Sequence, residues 1–478
     1  MREHRLQQIS QRRVYHRVFM RALRALAVLF PLVLACGGQS ARQAPAIPPP
    51  DDRLASDILL VVAHPDDETA ITGYLARAIF DEHRKLAVVY GTRGDAGGNA
   101  YGQEQAASLG AVRETEVRRA LASFGVMNVW ILGAPDTPGQ DVLRSLETWR
   151  HGERLAEVVR LIRLTRPKVV MTWLPAYVAG ENHDDHQAAA VIATEAFDLA
   201  GDPTAFPEQI SPPRNRNDIS NLTEGLHPWQ AQKLYFFSDA SHVDFMAGKG
   251  PVYPVDTLSP ARGEPYYKLA AEEAAFHLTQ FDTGKAAKEA LDKGDFTEFK
   301  DPVRLILGKS HVKGNATGDV FEGVVSAAIP FHGVRGYQPV ARTGMSIELG
   351  GPWEFYRDFV RAHNLDSLVD LLAPEVAVPA GQSLWIPILI HNDTDQPEDV
   401  DLETTLPGSW SNSQETIRYA VAPHATYPVQ MRVKTPSAKS SDSREQQWKN
   451  LRWEARNKGQ AIGRVDLRAI LTSGGLPQ

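Results

Sequence analysis

The feature that most constrains this chain is Ile58-Leu-Leu-Val-Val-Ala63, a run with no polar residue at any position. A strand with one wet face alternates apolar and polar side chains, whereas a run that is apolar throughout is buried on both faces, as inside a helix-covered sheet. Thr69 to Phe80 follows with helical spacing. The unit then recurs, with strands at Leu86–Tyr90, Val129–Leu132 and Val169–Trp173 and helices at Arg113–Phe124 and Leu155–Leu164. Such alternation gives the α/β class: a Rossmann-like, mostly parallel sheet wrapped by helices. Lys233–Phe237 reads as a further strand and Tyr267–Gln280 as an amphipathic helix, while the stretch from Ile210 to Asn221, dense in Pro, Arg and Asn, reads as a long surface loop.

In a sheet of this kind ligands bind at the loops that leave the carboxyl ends of the strands. Here those loops hold His64-Pro-Asp-Asp-Glu68, then Gly91-Thr-Arg-Gly-Asp-Ala-Gly-Gly98, then Gly133-Ala-Pro-Asp-Thr137, and a segment ending in His183-Asp-Asp-His186. A hydrolytic zinc site needs a few imidazole or carboxylate ligands and one position left open for water. His64 and Asp67 are three apart in one loop, and His183 and His186 repeat the spacing in another, so both loops can serve one ion. The plainer reading is that Asp66, Asp67 and Glu68 cap the following helix, where acids suit the first turn. That reading does not explain a histidine just ahead of the acids, or a second histidine cluster at a matching strand end.

Ala63-His-Pro-Asp-Asp-Glu68, followed much later by His183-Asp-Asp-His186, resembles the PIG-L/LmbE-like family of N-acetylglucosaminyl deacetylases. The resemblance runs from Ile58 to Phe237 and takes in Thr92-Arg-Gly-Asp95, Arg113-Glu-Thr-Glu116 and Leu132-Gly-Ala-Pro-Asp136. It implies a Zn2+ ion, or another divalent metal, held by His64, Asp67 and His186, with Asp66 as general base. It also implies that His183 stabilises or protonates the tetrahedral intermediate and that Asp185 orients His183. Many relatives have proline where Asp184 stands, which here adds negative charge near the metal. Arg93, in a glycine-flanked loop, is a candidate donor to sugar hydroxyls or a phosphate, and a surface pairing with Asp95 competes with that role. Asp136 binds substrate or caps a turn and is left outside the site. Ala274-Ala-Phe-His-Leu-Thr-Gln280 resembles a helix of longer members that closes over the pocket, and for His277 a core or surface helix is the preferred reading.

The last third changes character. Leu384–His391, Val400–Leu406 and Tyr427–Val433 are alternating or apolar runs separated by turn residues, as in an antiparallel sandwich. With Pro374 breaking a helical pattern, the expected organisation is a deacetylase-like domain over 55–373 and an immunoglobulin-like β-sandwich module over 374–478. Trp410, Trp448 and Trp453 would either stack on sugar rings or fill the module's core, the latter being preferred.

At the other end, an Arg-rich lead and the apolar run Ala25–Ala35 precede Cys36, the only cysteine. The run is shorter than the roughly 20 residues of a spanning helix, and it resembles a bacterial lipoprotein signal over 1–36, cut before a lipidated Cys36 and followed by a flexible tether over 37–54. Initiation at Met20 would give a more compact signal. Localisation is accordingly expected to be exported, periplasmic or at the cell surface, with a lipid anchor in the membrane. A net charge of −7 and the lack of a basic stripe after the lead exclude a nucleic-acid partner. The expected substrate is an amino sugar or glycan. The rivals are a glycan-binding lipoprotein without turnover, which the presence of Asp66 disfavours, and a metal hydrolase of the same fold acting on another amide or ester.

Overall fold

The computed structural model describes residues 50–137, 139–175, 183–211, 225–240, 244–371, 374–412, 416–437 and 448–472. The signal-like lead, Cys36 and most of the tether lie outside these residues, as does most of the Ile210–Asn221 loop. Of the stretch 37–54, Asp52–Leu54 forms a single 3-10 turn, and Arg166 donates to the Pro50 carbonyl at 3.0 Å.

The all-apolar run forms β1 (Ile58–Val62), buried at every position, at the heart of a six-stranded sheet. Its partners are β2 (Leu86–Tyr90), β3 (Asn128–Ile131), β4 (Val169–Trp173) and β5 (Lys233–Phe237), and an edge strand, β6 (Ile306–Ser310), completes the order β3-β2-β1-β4-β5-β6. The first five strands run parallel, and β6 pairs antiparallel with β5. The helices are α1 (Thr72–Ala76), α2 (Ala107–Ser123), α3 (Val142–Thr148), α4 (His151–Thr165) and α5 (Asp184–Leu199), with α6 (Tyr266–Ala274) after β5. Two apolar clusters, with alternate β1 residues in each, show that the sheet is covered on both faces. That explains why no polar residue interrupts β1. The chain crosses from one half of the sheet to the other between β1 and β4, so a crevice at the carboxyl ends of these two strands is where a ligand fits.

The C-terminal sheets pack face to face. One contains β7 (Met345–Leu349), β9 (Ser383–Asn392) and β12 (Ala425–Lys434); the other contains β8 (Glu375–Pro379), β10 (Glu398–Thr405), β11 (Thr416–Val421), β13 (Lys449–Asn457) and β14 (Gln460–Thr472). Ile386, Ile388, Ile390 and Met431 from the first sheet meet Leu402, Leu451 and Leu467 from the second in a dry core. The changeover near residue 374 is not a clean cut. β7, from ahead of it, pairs with β9, and α7 (Pro352–Ala362) buries Tyr356, Phe359 and Val360 in the core of the α/β part. Pro49–Gln478 accordingly forms one compact unit. Trp410 and Trp453 are buried in the sandwich, and Trp448 lies under the Arg468 guanidinium, so the three do not form an exposed stacking platform.

Candidate metal centre

β1 delivers the chain to Ala63, where its own twist and the tight turn at His64–Asp67 fold Asp67 back over the strand end. Asp67 Oδ2 is saturated by three N–H donors: the backbone of Ala63 at 2.8 Å, the backbone of His64 at 2.9 Å and the Trp173 indole at 2.7 Å. That leaves Oδ1 turned to two imidazoles, 3.2 Å from His186 Nε2 and 3.6 Å from His64 Nδ1. The Trp173 ring stacks on His186 with centroids 4.2 Å apart and planes within 7°. Trp173, the last residue of β4, therefore orients both a carboxylate and an imidazole.

The far side of His64 is also held. Its Nε2 lies 3.1 Å from Asp136 Oδ1 and 3.5 Å from Asp185 Oδ2. Asp136 in turn accepts from the Ala96 backbone at 2.9 Å, and Asp185 from the Thr137 backbone at 2.7 Å. A ligating histidine whose second nitrogen donates to a carboxylate is fixed in tautomer and orientation. Asp136, left outside the site on sequence grounds, thus belongs to it. Its place in the loop after β3, within the Leu132–Asp136 segment of the family resemblance, was the available signal.

His183 caps α5, its Nδ1 accepting from the Asp185 backbone at 3.3 Å, and its ring meets His64 edge-on at 4.4 Å. The Asp185 carboxylate faces His64; it is the Asp185 backbone that touches the His183 ring. Asp184 is fully buried with its carboxylate toward Gly139, and burial together with Asp185 pushes its pKa up to about 7, so its charge is reduced.

Asp66 stands beside this set with φ +121° and ψ −13°, and its Oδ2 accepts from Thr283 Oγ1 at 3.0 Å. Burial, reinforced by the Asp67 charge, pushes its pKa up to about 7. Burial also opposes the charge on Asp67, but His186 and His64 hold it well below the usual carboxylate range. His64 is raised well above the imidazole range because the Asp136 charge overcomes its burial. His183 is lowered to about 2, by burial first and then by His64 and His186.

These residues fit a divalent cation. One ligand atom from each of His64, Asp67 and His186 lies within 4.8 Å of the other two. Two imidazole nitrogens and one carboxylate oxygen, with room for water, are a zinc-type donor set. Buried atoms without a hydrogen-bond partner among the described residues, His186 Nδ1 and Asp185 Oδ1, flank them, and the raised affinity of His64 for a proton shows that the surrounding carboxylates call for positive charge. His64, Asp66, Asp67, Asp136, His183 and His186 line a cavity of about 1050 Å³.

Arg93 does not line it; its Nε lies 3.3 Å from Glu114 and the side chain is half exposed. Arg113 lines it instead, donating to the carbonyls of Gly94 at 2.6 Å and Gly98 at 2.7 Å. A Cβ on Gly94, which has φ +65°, would fall 2.7 Å from Arg113 Nη1, so glycine is needed for this approach. A further buried trio adjoins the centre. Glu68 accepts from Tyr90 Oη at 2.7 Å, His277 Nε2 lies 2.8 Å from Glu68 Oε1, and Glu273 completes the group.

Fold and site together define an α/β domain with a candidate metal centre at the switch point of its sheet. Residues 59–197 match the model of the family described as PIG-L, GlcNAc-PI de-N-acetylase. Among curated relatives, the 1D-myo-inositol 2-acetamido-2-deoxy-alpha-D-glucopyranoside deacetylase of Geodermatophilus obscurus is 32% identical over 166 residues, 32% of this chain and 56% of that protein. The enzyme of the same description from Rhodococcus erythropolis is 34% identical over 173 residues, 33% of this chain and 58% of that protein. The chain thus spans a little over half the length of these relatives. The N,N'-diacetylchitobiose deacetylase of Pyrococcus horikoshii, a solved structure, aligns with 53% of this chain and 84% of its own at 16% identity and a TM-score of 0.37.

Proposed function

We propose that this protein is a metal-dependent amidohydrolase that removes the acetyl group from an N-acetylglucosamine-type amino sugar, with His64, Asp67 and His186 as metal ligands and Asp66 as general base. The observation that carries the reading is the approach of His64 Nδ1 and His186 Nε2 to Asp67 Oδ1 at the cavity wall, with Asp66, a carboxylate that is not one of the three, lining the same cavity. A bound divalent metal, zinc first among candidates, would polarise the amide carbonyl and acidify a water. Asp66 takes the proton of that water and passes it to the leaving amine. His183, edge-on to His64 at the cavity wall, donates a hydrogen bond to the oxygen that gains charge. Asp136 and Asp185 hold His64 through Nε2.

The relatives' names, all deacetylases of 2-acetamido sugars, support the substrate class. Acetate release from a panel of N-acetylated sugars, measured before and after chelation and after zinc is restored, tests the proposal; release that survives complete removal of metal would overturn it. The lipoprotein-like lead supports export and anchoring through Cys36. Membrane fractionation of the wild type and Cys36→Ser tests this, with release of the variant expected.

A further inference from the structure

The residues that hold Asp66 in place lie far beyond the segment the family model matches. From one short stretch, His277 Nε2 approaches Glu68 Oε1 at 2.8 Å, Gln280 donates through Nε2 to the Pro65 carbonyl, and Thr283 Oγ1 donates to Asp66 Oδ2 at 3.0 Å. The stretch is anchored in turn. Thr279 donates to Glu116 through Oγ1 at 2.7 Å and through its backbone at 3.1 Å, and its carbonyl accepts from the Ala100 backbone at 2.8 Å. Gly284 lies so close to the His277 carbonyl that any Cβ there would collide with it, so the stretch folds back on itself as one tight unit.

Asp66 needs such a restraint. With φ +121° and ψ −13° it occupies a region that a non-glycine residue leaves unless held, at a cost on the order of 1–3 kcal/mol. The bonds to Pro65, Asp66 and Glu68 span the strained residue on both sides. Its carboxylate has one oxygen engaged by Thr283, while Oδ1 accepts no hydrogen bond from a described residue.

We propose that Thr283 is a positioning residue for Asp66. Its hydroxyl pins Oδ2 and so turns Oδ1 to accept the proton of the attacking water, while Gln280 and His277 hold the backbone of the turn. This rests on the reading of Asp66 as the general base.

The test compares full-length wild type, Thr283→Val and Thr283→Ser in kcat and KM for acetate release, bound metal per chain, melting temperature and crystal structure. Thr283→Val keeps the shape and loses the donor. It is expected to lower kcat about ten- to a hundredfold, the size of a lost hydrogen bond to a charged group. KM, metal content and melting temperature should stay at wild-type values, and Thr283→Ser should restore kcat. The crystal structures should show the Asp66 carboxylate turned in the valine variant and returned in the serine variant. Wild-type kcat in Thr283→Val, a fall in kcat that serine does not rescue, or an unmoved Asp66 in the valine crystal would each overturn the proposal. If the wild type releases acetate from no N-acetylated sugar, the functional reading falls, while the crystals still decide whether Thr283 orients Asp66.

Discussion

Asp67 and Glu68 are neighbours in sequence, yet each anchors a different carboxylate–histidine trio. Asp67 joins His64 and His186 at the cavity wall, whereas Glu68 joins Glu273 and His277, none of which is more than 1% exposed or lines the cavity. The residue types are almost the same in both. In the first trio the atoms facing one another are Asp67 Oδ1 and two ring nitrogens, while Oδ2 is already saturated. In the second, Glu68 uses both oxygens on protein donors, and the pKa of Glu273 is pushed up to about 7 by burial and the nearby Glu68. Access from solvent and the direction of the free lone pair, rather than composition, separate a candidate ligand set from a structural ion cluster.

The largest effect should come from the open trio and its neighbour. Asp66→Asn keeps shape and ligation but cannot take a proton, so turnover should fall by roughly two to four powers of ten with metal retained. Asp67→Ala removes one of three protein ligands and should lose the metal. Metal analysis and acetate release on both purified variants check this. Metal lost from the first and kept by the second would invert the assignment of base and ligand.

The sealed trio should answer in stability instead. His277→Ala leaves Glu68 and Glu273 facing each other without a cation, an unpaired buried charge worth about 3–5 kcal/mol. Denaturant unfolding should show that loss, while the variant that remains folded still binds metal. Wild-type stability would mean that the trio is not a structural unit.

Trp173 links the two comparisons, because it orients the open trio without ligating. Trp173→Phe keeps the ring against His186 but removes the N–H that holds Asp67 Oδ2. Metal affinity should drop about ten- to a hundredfold, the usual effect of losing a partner that orients a ligand. A titration with a competing chelator measures it, and unchanged affinity would show that the two backbone donors suffice.

How much of this was legible follows from distance along the chain. The strands Leu86–Tyr90, Val169–Trp173 and Lys233–Phe237 match their observed bounds, since a short, predominantly apolar run between polar segments is a local signal. His64, Asp67 and His186 come together because two short motifs end two strands that the fold places side by side. Thr283, Gln280 and the pairing of His277 with Glu68 were out of reach, because a contact across some two hundred residues leaves no trace in local spacing. Arg93 points to Glu114, and Arg113, which the sequence offers as part of a helix and of the family resemblance but not as a site residue, lines the cavity. One arginine lies in a loop and the other on a helix, and local spacing cannot tell which of the two faces inward. In the sandwich, Trp410 and Trp453 went to the core as a large apolar ring prefers, while Trp385 is the one that stands 57% exposed beside Arg432.

A third carboxylate–histidine contact, nearest to water, carries the comparison to its weak end. Glu348 on β7 lies 2.9 Å from His391 Nε2 and within 3.1 Å of Arg357, with Arg342 also in contact. The His391 hydrogen bond, followed by the two arginine charges, holds its pKa down at about 2 against an ordinary 4.5. The folded form therefore resists protonation more than the unfolded chain does. Its contribution is fully present above pH 4.5 and is lost as the pH falls from there toward 2, where the folded carboxylate also protonates. Because the side chain is partly exposed, screening keeps the effect small, at most about 1 kcal/mol. Glu348→Gln should lower stability by no more than this at neutral pH and should flatten the decline between pH 4.5 and 2, as followed by urea unfolding at a series of pH values. An effect as large as that of His277→Ala would mean that exposure does not grade these contacts, and the contrast between the open and the sealed trio would need another cause.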